Sequence, residues 1–181
     1  MLIIALNGSP REGGNTQMLL DEALEGARQC GAETLRIDLN RLTIKGCQAC
    51  DGCPGSGVCR YEDDMVKIYA LLERADALIV GTPVYFSGPT AQLKLAMDRC
   101  QCIWSHGPGR KGRRSAMISV SGDESANFRN VISEVRSFVN SIGFEIFEEM
   151  TVPGIDNRGA VASRPDLLEK ARDVGARLTR P

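Results

Sequence analysis

Short apolar runs alternate along the chain with stretches in which apolar residues recur every three or four positions. The first run, Leu2–Leu6, is uninterrupted, which is typical of a strand buried on both faces of a sheet. Further runs predict strands at Thr34–Leu39, Asp76–Val80, Ser115–Val120 and Phe144–Val152. The pattern therefore predicts a sheet of five strands.

Helices are predicted between these strands. The clearest covers residues 127–142, where apolar residues fall at helical spacing and Gly143 ends the pattern. The carboxylates of residues 62–64 precede another helical pattern, and we interpret them as helix-capping charges. A final helix is predicted from about Ser163, with Pro165 in its first turn. Strands joined by crossover helices run parallel, so we expect an α/β fold with a three-layer, doubly wound, parallel five-stranded sheet.

The composition limits the class of protein. With 181 residues, 43% of them hydrophobic and 25% charged, the chain suits one globular domain covering residues 1–181. Its net charge of −1 provides no basic field for nucleic acid. Met1 leads directly into the first strand without the features of a signal peptide, and no apolar run approaches the ~20 residues of a membrane span. We therefore expect a cytoplasmic protein with neither a nucleic-acid nor a membrane partner.

The loop after the first strand, residues 7–16, has the composition of a phosphate-binding loop. It is not a Walker motif, because Gly14 stands where that motif requires lysine. Its glycines and the start of the next helix offer backbone N–H groups to an anion. The side chains offered with them are those of Ser9, Arg11, Asn15 and Thr16. The alternative is a plain connection in which Asn15 or Thr16 only caps the helix.

Two sequence motifs together resemble a known family. Gly8-Ser9-Pro10-Arg11, with Gly14-Asn15-Thr16, resembles the FMN-phosphate loop of NAD(P)H-dependent FMN reductases and of their iron–sulfur flavoprotein relatives. The segment from Ala75 to Phe86, which contains Pro83-Val84-Tyr85, is similar to the family's strand and flavin-contacting loop. The resemblance implies a flavodoxin-like sheet of order 2-1-3-4-5, with FMN at the carboxyl ends of the strands, and a homodimer or homotetramer.

Two later loops lie where an open α/β sheet binds its ligand, at the carboxyl ends of strands. In the first, Pro83, Val84, Tyr85 and Phe86 are candidates for contact with the flavin ring. The alternative places both aromatic side chains in the core. In the second, the candidates are Ser121 and Gly122, since small residues permit close approach of the backbone. An ordinary turn explains the loop at Ser121 and Gly122 equally well.

A cysteine-rich loop at residues 46–60 interrupts the regular pattern. Its spacing is C-x2-C-x2-C-x5-C, and the candidate ligands are Cys47, Cys50, Cys53 and Cys59. So compact a run favours a 4Fe–4S cluster over structural zinc, which usually takes two separated pairs. A C-x-x-C dithiol or an empty loop is the alternative. His106, the single histidine, excludes sites with two imidazoles. We interpret Cys30, Cys100 and Cys102 as small buried hydrophobic residues.

The sequence therefore predicts an FMN-dependent oxidoreductase that also carries a 4Fe–4S cluster. Its partners would be a small-molecule or protein electron donor, either NAD(P)H or a ferredoxin-like protein, and an acceptor that the sequence does not identify. No catalytic triad is needed, because the cofactors carry the chemistry. The alternative is a non-catalytic flavin- or nucleotide-binding protein whose cysteine loop holds structural zinc or no metal.

Overall fold

The computed structural model describes residues 1–180, so Pro181, the last residue of the predicted domain, lies outside the described residues. Within that range, five parallel strands form one sheet in the order β2-β1-β3-β4-β5. The strands are β1 (Leu2–Asn7), β2 (Glu33–Asp38), β3 (Ala77–Pro83), β4 (Arg113–Val120) and β5 (Phe144–Val152). The predicted fold class and strand order are confirmed.

Helices cover both faces of the sheet. They are α1 (Asn15–Gln29), α2 (Met65–Arg74), α3 (Ala91–Arg99), α4 (Gln101–His106), α5 (Arg129–Ser141) and α6 (Pro165–Leu178). Alternate strand residues point to opposite faces. Ile3 and Ile79 accordingly pack with α1 and α6, whereas Ile4 and Val80 pack with α2, α3 and α5. Among the described residues, no helix is both long and apolar enough to cross a bilayer.

Several predicted boundaries differ from the observed ones. β3 continues through Pro83 rather than ending at Val80, because Gly81–Pro83 still pair with β4. α5 begins two residues later than predicted, since the side chain of Asn127 accepts a hydrogen bond from the backbone N–H of Arg129 and precedes the helix. α6 begins at Pro165, after a short 3₁₀ turn at Ala160–Ser163.

The cysteines outside the loop divide into two kinds. Cys100 and Cys102 are buried, as predicted. The prediction for Cys30 is wrong, because this residue is exposed. α1 ends at Gln29, so Cys30 occupies the position after the helix and does not continue its apolar face.

The contact between α1 and α6 fixes the helix that follows the first loop. The two backbones approach so closely that a Cβ on Gly175 would lie 1.7 Å from the carbonyl oxygen of Ala23. We expect Gly175→Ala to lower the free energy of unfolding by about 1–3 kcal/mol or more, because the helices must separate. Denaturant unfolding measures this loss. Gly109→Ala is the matched control, since a Cβ there meets nothing within 4 Å. Equal stability of the two variants would contradict this account of the packing.

Candidate functional site

The first loop leaves the amino end of α1 without a side-chain cap. Gly14, in extended conformation, is the N-cap residue, and within residues 1–180 no side chain makes the capping hydrogen bond. The first turn also contains no acidic residue. The alternative in which Asn15 or Thr16 serves only as a cap is therefore not observed. The N-terminal N–H groups and the positive end of the helix dipole remain available to an anion.

Hydrogen bonds inside and behind the loop hold it in shape. The Ser9 hydroxyl accepts a hydrogen bond from the backbone N–H of Arg11 at 3.2 Å. Behind the loop, Thr90 Oγ1 donates to the carbonyl of Gly8 at 2.6 Å, and the N–H of Gly8 donates to Gly81 at 2.8 Å. These bonds join the loop to the start of α3 and to β3. Ser9 and Thr16 are buried beneath it.

A segment outside the predicted site packs against this loop. We call residues 155–161 the closing segment. The side chain of Asn15 donates to the carbonyls of Ile155 and Asn157 at 3.3 and 2.9 Å, and its oxygen accepts from the N–H of Val161 at 3.1 Å. Arg11 donates to the carbonyl of Asp156 at 2.6 Å. Two of the side chains predicted to bind phosphate are thus engaged in holding the closing segment, which no sequence motif marks.

The second loop, which follows β3 at Pro83, exposes its aromatic side chains. Tyr85 and Gly88 exchange two backbone hydrogen bonds of 3.0 Å, which closes a tight turn beside Pro83 and Val84. Tyr85 is 42% exposed and Phe86 is fully exposed, so the alternative that places them in the core is wrong. Phe86 and Ser87 have φ values of 49° and 66°, and such strain in non-glycine residues is concentrated at ligand sites.

The third loop, which follows β4 at Val120, lies beside the other two. The N–H of Ser121 donates to Val152, and its carbonyl accepts from Ile155 at 2.9 Å. A Cβ on Gly122 would lie 2.8 Å from the Cβ of Asp156, so this loop also contacts the closing segment. Because β1, β3 and β4 are neighbours in the sheet, the structure brings all three loops to one edge.

The four candidate ligands of the cysteine loop line one cavity of about 450 Å³. Their thiols are free; Cys53 and Cys59 are half-buried, whereas Cys47 and Cys50 are exposed. No group of three or more His, Cys, Asp or Glu side chains within residues 1–180 is arranged to hold a single metal ion. In a 4Fe–4S cluster each cysteine binds a different iron, so the sulfurs stand farther apart than the ligands of one ion. A cavity lined by four separate thiols is compatible with that arrangement.

The surroundings of these thiols differ from those of the buried cysteines. A hydrogen bond from the backbone of Gly52 lowers the pKa of Cys50, and the guanidinium of Arg60 acts in the same direction. Burial raises the pKa of Cys102, which lines the same cavity, and that of Cys100. The thiolate is the form that binds metal. Ionisation of Cys50 is therefore favoured relative to Cys100 and Cys102.

A buried ion pair connects the two ends of the cysteine loop, and the sequence interpretation missed it. Arg99 and Asp63 form this pair, with side chains 0% and 8% exposed. The interpretation of residues 62–64 as helix caps is incomplete: Asp63 does accept from the N–H of Met65, but it also binds Arg99. Burial alone would raise the pKa of Asp63, yet the hydrogen bond from Arg99 lowers it. One signal in the sequence could have revealed this ion pair: Arg99 is a charged residue at a core-facing position of the helical pattern of α3.

The cysteine cavity and the first loop lie at opposite ends of α3. The helix begins beside Gly8, through Thr90, and its last residue, Arg99, lines the cysteine cavity. At ~1.5 Å per residue, the nine residues of α3 span about 14 Å. His106 also approaches the cysteine loop, since a Cβ on Gly57 would lie 2.9 Å from its ring.

The strand order and the three loops at one sheet edge are those of the flavodoxin-like class, and the family match that follows makes the chain a flavin-dependent oxidoreductase. Residues 1–152 match the family model of NADPH-dependent FMN reductases, and the chain belongs to that family. The resemblance recognised in the sequence is thereby confirmed.

Curated relatives of this chain are named iron-sulfur flavoproteins. An iron-sulfur flavoprotein of Methanosarcina thermophila is 32% identical over 143 residues, which cover 79% of this chain and 75% of that protein. An iron-sulfur flavoprotein of Methanocaldococcus jannaschii is 33% identical over 138 residues, 76% of this chain and 71% of that protein.

Solved structures share the fold at lower identity. The NAD(P)H:quinone oxidoreductase from Methanothermobacter marburgensis superposes with a TM-score of 0.77 at 21% identity, covering 98% of both chains. An FMN-dependent NADH-azoreductase from Bacillus anthracis, in complex with FMN, gives a TM-score of 0.71 at 13% identity, covering 99% of this chain and 100% of that one.

Proposed function

We propose that this FMN-dependent oxidoreductase also carries a 4Fe–4S cluster and passes electrons from NAD(P)H or a ferredoxin-like donor to an acceptor that is still to be identified. The observation that carries the proposal is the single cavity lined by all four cysteines of the loop. Cys47, Cys50, Cys53 and Cys59 would hold the cluster, which supplies one-electron transfer. The M. thermophila and M. jannaschii relatives, named iron-sulfur flavoproteins, support the same assignment.

The FMN phosphate is assigned to the amino end of α1. Ser9, Thr16 and the free backbone N–H groups would bind it, and Arg158 would add a charge. The guanidinium of Arg158 lies 3.8 Å from the position that a Cβ on Gly13 would take, and it has no ion pair within residues 1–180. A cation beside the positive end of a helix is unfavourable unless an anion lies between them. Arg11 and Asn15 contribute by holding the closing segment in place.

The flavin ring is assigned to the edge formed by the second and third loops. Pro83, Val84 and the backbone at Ser121 and Gly122 would contact it, and Tyr85 and Phe86 would cover it. Bound FMN supplies the transfer of a hydride or of single electrons. The protein's part is to orient the ring, exclude water and leave a donor access to the exposed edge.

We expect Tyr85→Ala to shift the absorbance spectrum or the reduction potential of the bound flavin, because the ring loses an aromatic neighbour. Anaerobic redox titration of the flavin measures both quantities. Tyr85→Phe, which keeps the ring and loses only the hydroxyl, is the control and should behave like the unsubstituted protein. If Tyr85→Ala leaves spectrum, potential and affinity unchanged, Tyr85 does not contact the flavin.

The proposal extends to the domain organisation, the assembly and the location of the protein. We propose a single FMN-binding domain, with residues 46–60 as its cysteine-rich loop, that assembles as a homodimer or homotetramer. The exposed side chains of Phe86 and Trp104 support such an assembly, since large exposed apolar side chains tend to be covered by a partner. A cytoplasmic location is proposed because none of the seven cysteines forms a disulfide within residues 1–180, which suits a reducing compartment.

Protein purified without oxygen tests the proposal directly. We expect about one FMN, four irons and four sulfides per chain. NADPH and NADH, added separately, should identify the donor by bleaching the flavin; failure of both would favour a protein donor. Protein that binds flavin but holds zinc, or no metal after reconstitution with iron and sulfide, would contradict the cluster and favour the alternative function.

A further inference from the structure

A chain of hydrogen bonds runs from β2 to the first loop. At the end of β1, the side-chain amide of Asn7 donates to the carboxylate of Asp38, its partner residue on β2, at 2.8 Å. The side-chain oxygen of Asn7 accepts from the backbone N–H of Ser9 at 3.1 Å. Asn7 is 2% exposed, so water has little access to its amide. The loop is therefore tied to the neighbouring strand through one buried side chain.

The carboxylate of Asp38 decides which way the Asn7 amide faces. Arg36 donates to both carboxylate oxygens, at 2.8 and 3.1 Å. Burial alone would raise the pKa of Asp38, yet the hydrogen bonds from Arg36 and Asn7 lower it, so the group is ionised at neutral pH. An ionised carboxylate only accepts hydrogen bonds. The NH₂ group of Asn7 must therefore face Asp38, and its oxygen must face Ser9.

The turn held by Asn7 places the Ser9 hydroxyl beside the amino end of α1. Ser9 Oγ lies 3.5 Å from the position that a Cβ on Gly14, the N-cap residue, would take. This oxygen accepts from the N–H of Arg11, and within residues 1–180 nothing accepts from the hydroxyl in return. A hydroxyl has one donor besides its acceptor sites, and Ser9 is 6% exposed. A free donor at the positive end of a helix suits an anionic oxygen.

We infer that Asp38 is a positioning residue for the phosphate of FMN: it orients the Asn7 amide, and Asn7 holds the turn that presents the Ser9 hydroxyl to the phosphate. This inference rests on the proposed FMN-phosphate site at the amino end of α1. Arg36 takes part as well, because its guanidinium neutralises the carboxylate of Asp38 and so limits repulsion of an anionic ligand.

Exchanging the two side chains tests this inference. Asn7→Asp keeps an oxygen for the N–H of Ser9 but sets two carboxylates against each other, and we expect it to weaken FMN about tenfold or more and riboflavin by much less. The double variant, Asn7→Asp with Asp38→Asn, again pairs one carboxylate with one amide and should recover most of that loss. Asp38→Asn alone should not tighten FMN. Parallel fluorescence titrations of the full-length, flavin-free protein with FMN and riboflavin measure these affinities.

Asn127→Asp is the matched control. The side chain of Asn127 accepts from the N–H of Arg129, two residues ahead, just as Asn7 accepts from Ser9. Asn127 is exposed, however, and no carboxylate in the described part of the chain accepts from its amide. The substitution keeps the acceptor and adds the same charge, so the affinities for FMN and riboflavin should be unchanged.

The outcomes separate this inference from the proposed function. If the unsubstituted protein binds FMN no more tightly than riboflavin, the phosphate site itself is refuted. If Asn7→Asp keeps the full preference for FMN, only the role of Asp38 and Asn7 is refuted. An additive effect of charge would make Asp38→Asn tighten FMN by the factor that it restores in the double variant, and this result also overturns the inference. If Asn7→Asp binds neither flavin, the double variant decides: recovered FMN binding supports the inference, and no recovery overturns it.

Discussion

Serine at any one of positions 47, 50, 53 or 59 is expected to remove most of the iron and sulfide and to abolish the iron–sulfur absorbance. Each iron of a cubane requires its own thiolate, and an alcohol is a far weaker ligand. The four side chains line one cavity, where each would bind one iron. Iron and sulfide analysis of anaerobically purified variants, with FMN content measured in the same samples, checks the prediction. Flavin should be retained, because its loops lie at the other end of α3.

The remaining cysteines provide matched controls. Cys30→Ser alters an exposed thiol that does not line the cavity and should leave the iron content unchanged. Cys102→Ser is the more demanding control, since Cys102 lines the same cavity but burial raises the pKa of its thiol, which disfavours the thiolate. Loss of iron in Cys102→Ser together with retention in Cys59→Ser would show that the ligand set is different from the one proposed.

Local pattern was sufficient for the fold class and for the sheet edge, whereas the strand order came from the family resemblance. The apolar run at Leu2–Leu6 needs burial on both faces, and the parallel sheet provides it. Loops after parallel strands meet at one edge, so residues as distant as Ser9 and Ser121 could be grouped from sequence alone. The cysteine loop was equally visible because all its thiols fall within thirteen residues of one another.

Features that depend on long-range contacts could not be predicted. The pairing of Arg99 with Asp63 joins residues 36 positions apart, and neither has a motif. The closing segment contacts Asn15 across 140 to 146 positions, again without a local signature. Arg11 and Asn15 lie in the loop after β1, where the sequence predicts phosphate binding, but the sequence cannot show that their side chains are engaged by another segment. Cys30 is exposed because α1 ends one residue before it, and apolar periodicity does not locate a helix end to within one residue.

Arg158→Ala should weaken the binding of FMN while leaving riboflavin almost unaffected. The two ligands differ only in the phosphate, and the free guanidinium of Arg158 lies beside Gly13 in the loop assigned to it. A hydrogen bond to a charged group contributes about 1.5–3 kcal/mol, and the exposed position of Arg158 places the expected loss at the lower end, about tenfold in affinity. Parallel fluorescence titrations of the apoprotein with FMN and riboflavin measure this difference.

The control lies in the same connection between β5 and α6. The guanidinium of Arg164 is held by Asp166, so Arg164→Ala removes an equal charge without removing a free donor and should leave FMN affinity unchanged. Asn15→Ala is expected to act on FMN as well, because it releases the closing segment that carries Arg158. Comparing the FMN and riboflavin affinities of the two variants decides how the closing segment acts on the ligand. If Asn15→Ala weakens FMN but Arg158→Ala does not, the closing segment only shapes the loop. If Arg158→Ala weakens FMN and riboflavin equally, its contact is with the shared part of the ligand, and the phosphate is bound elsewhere.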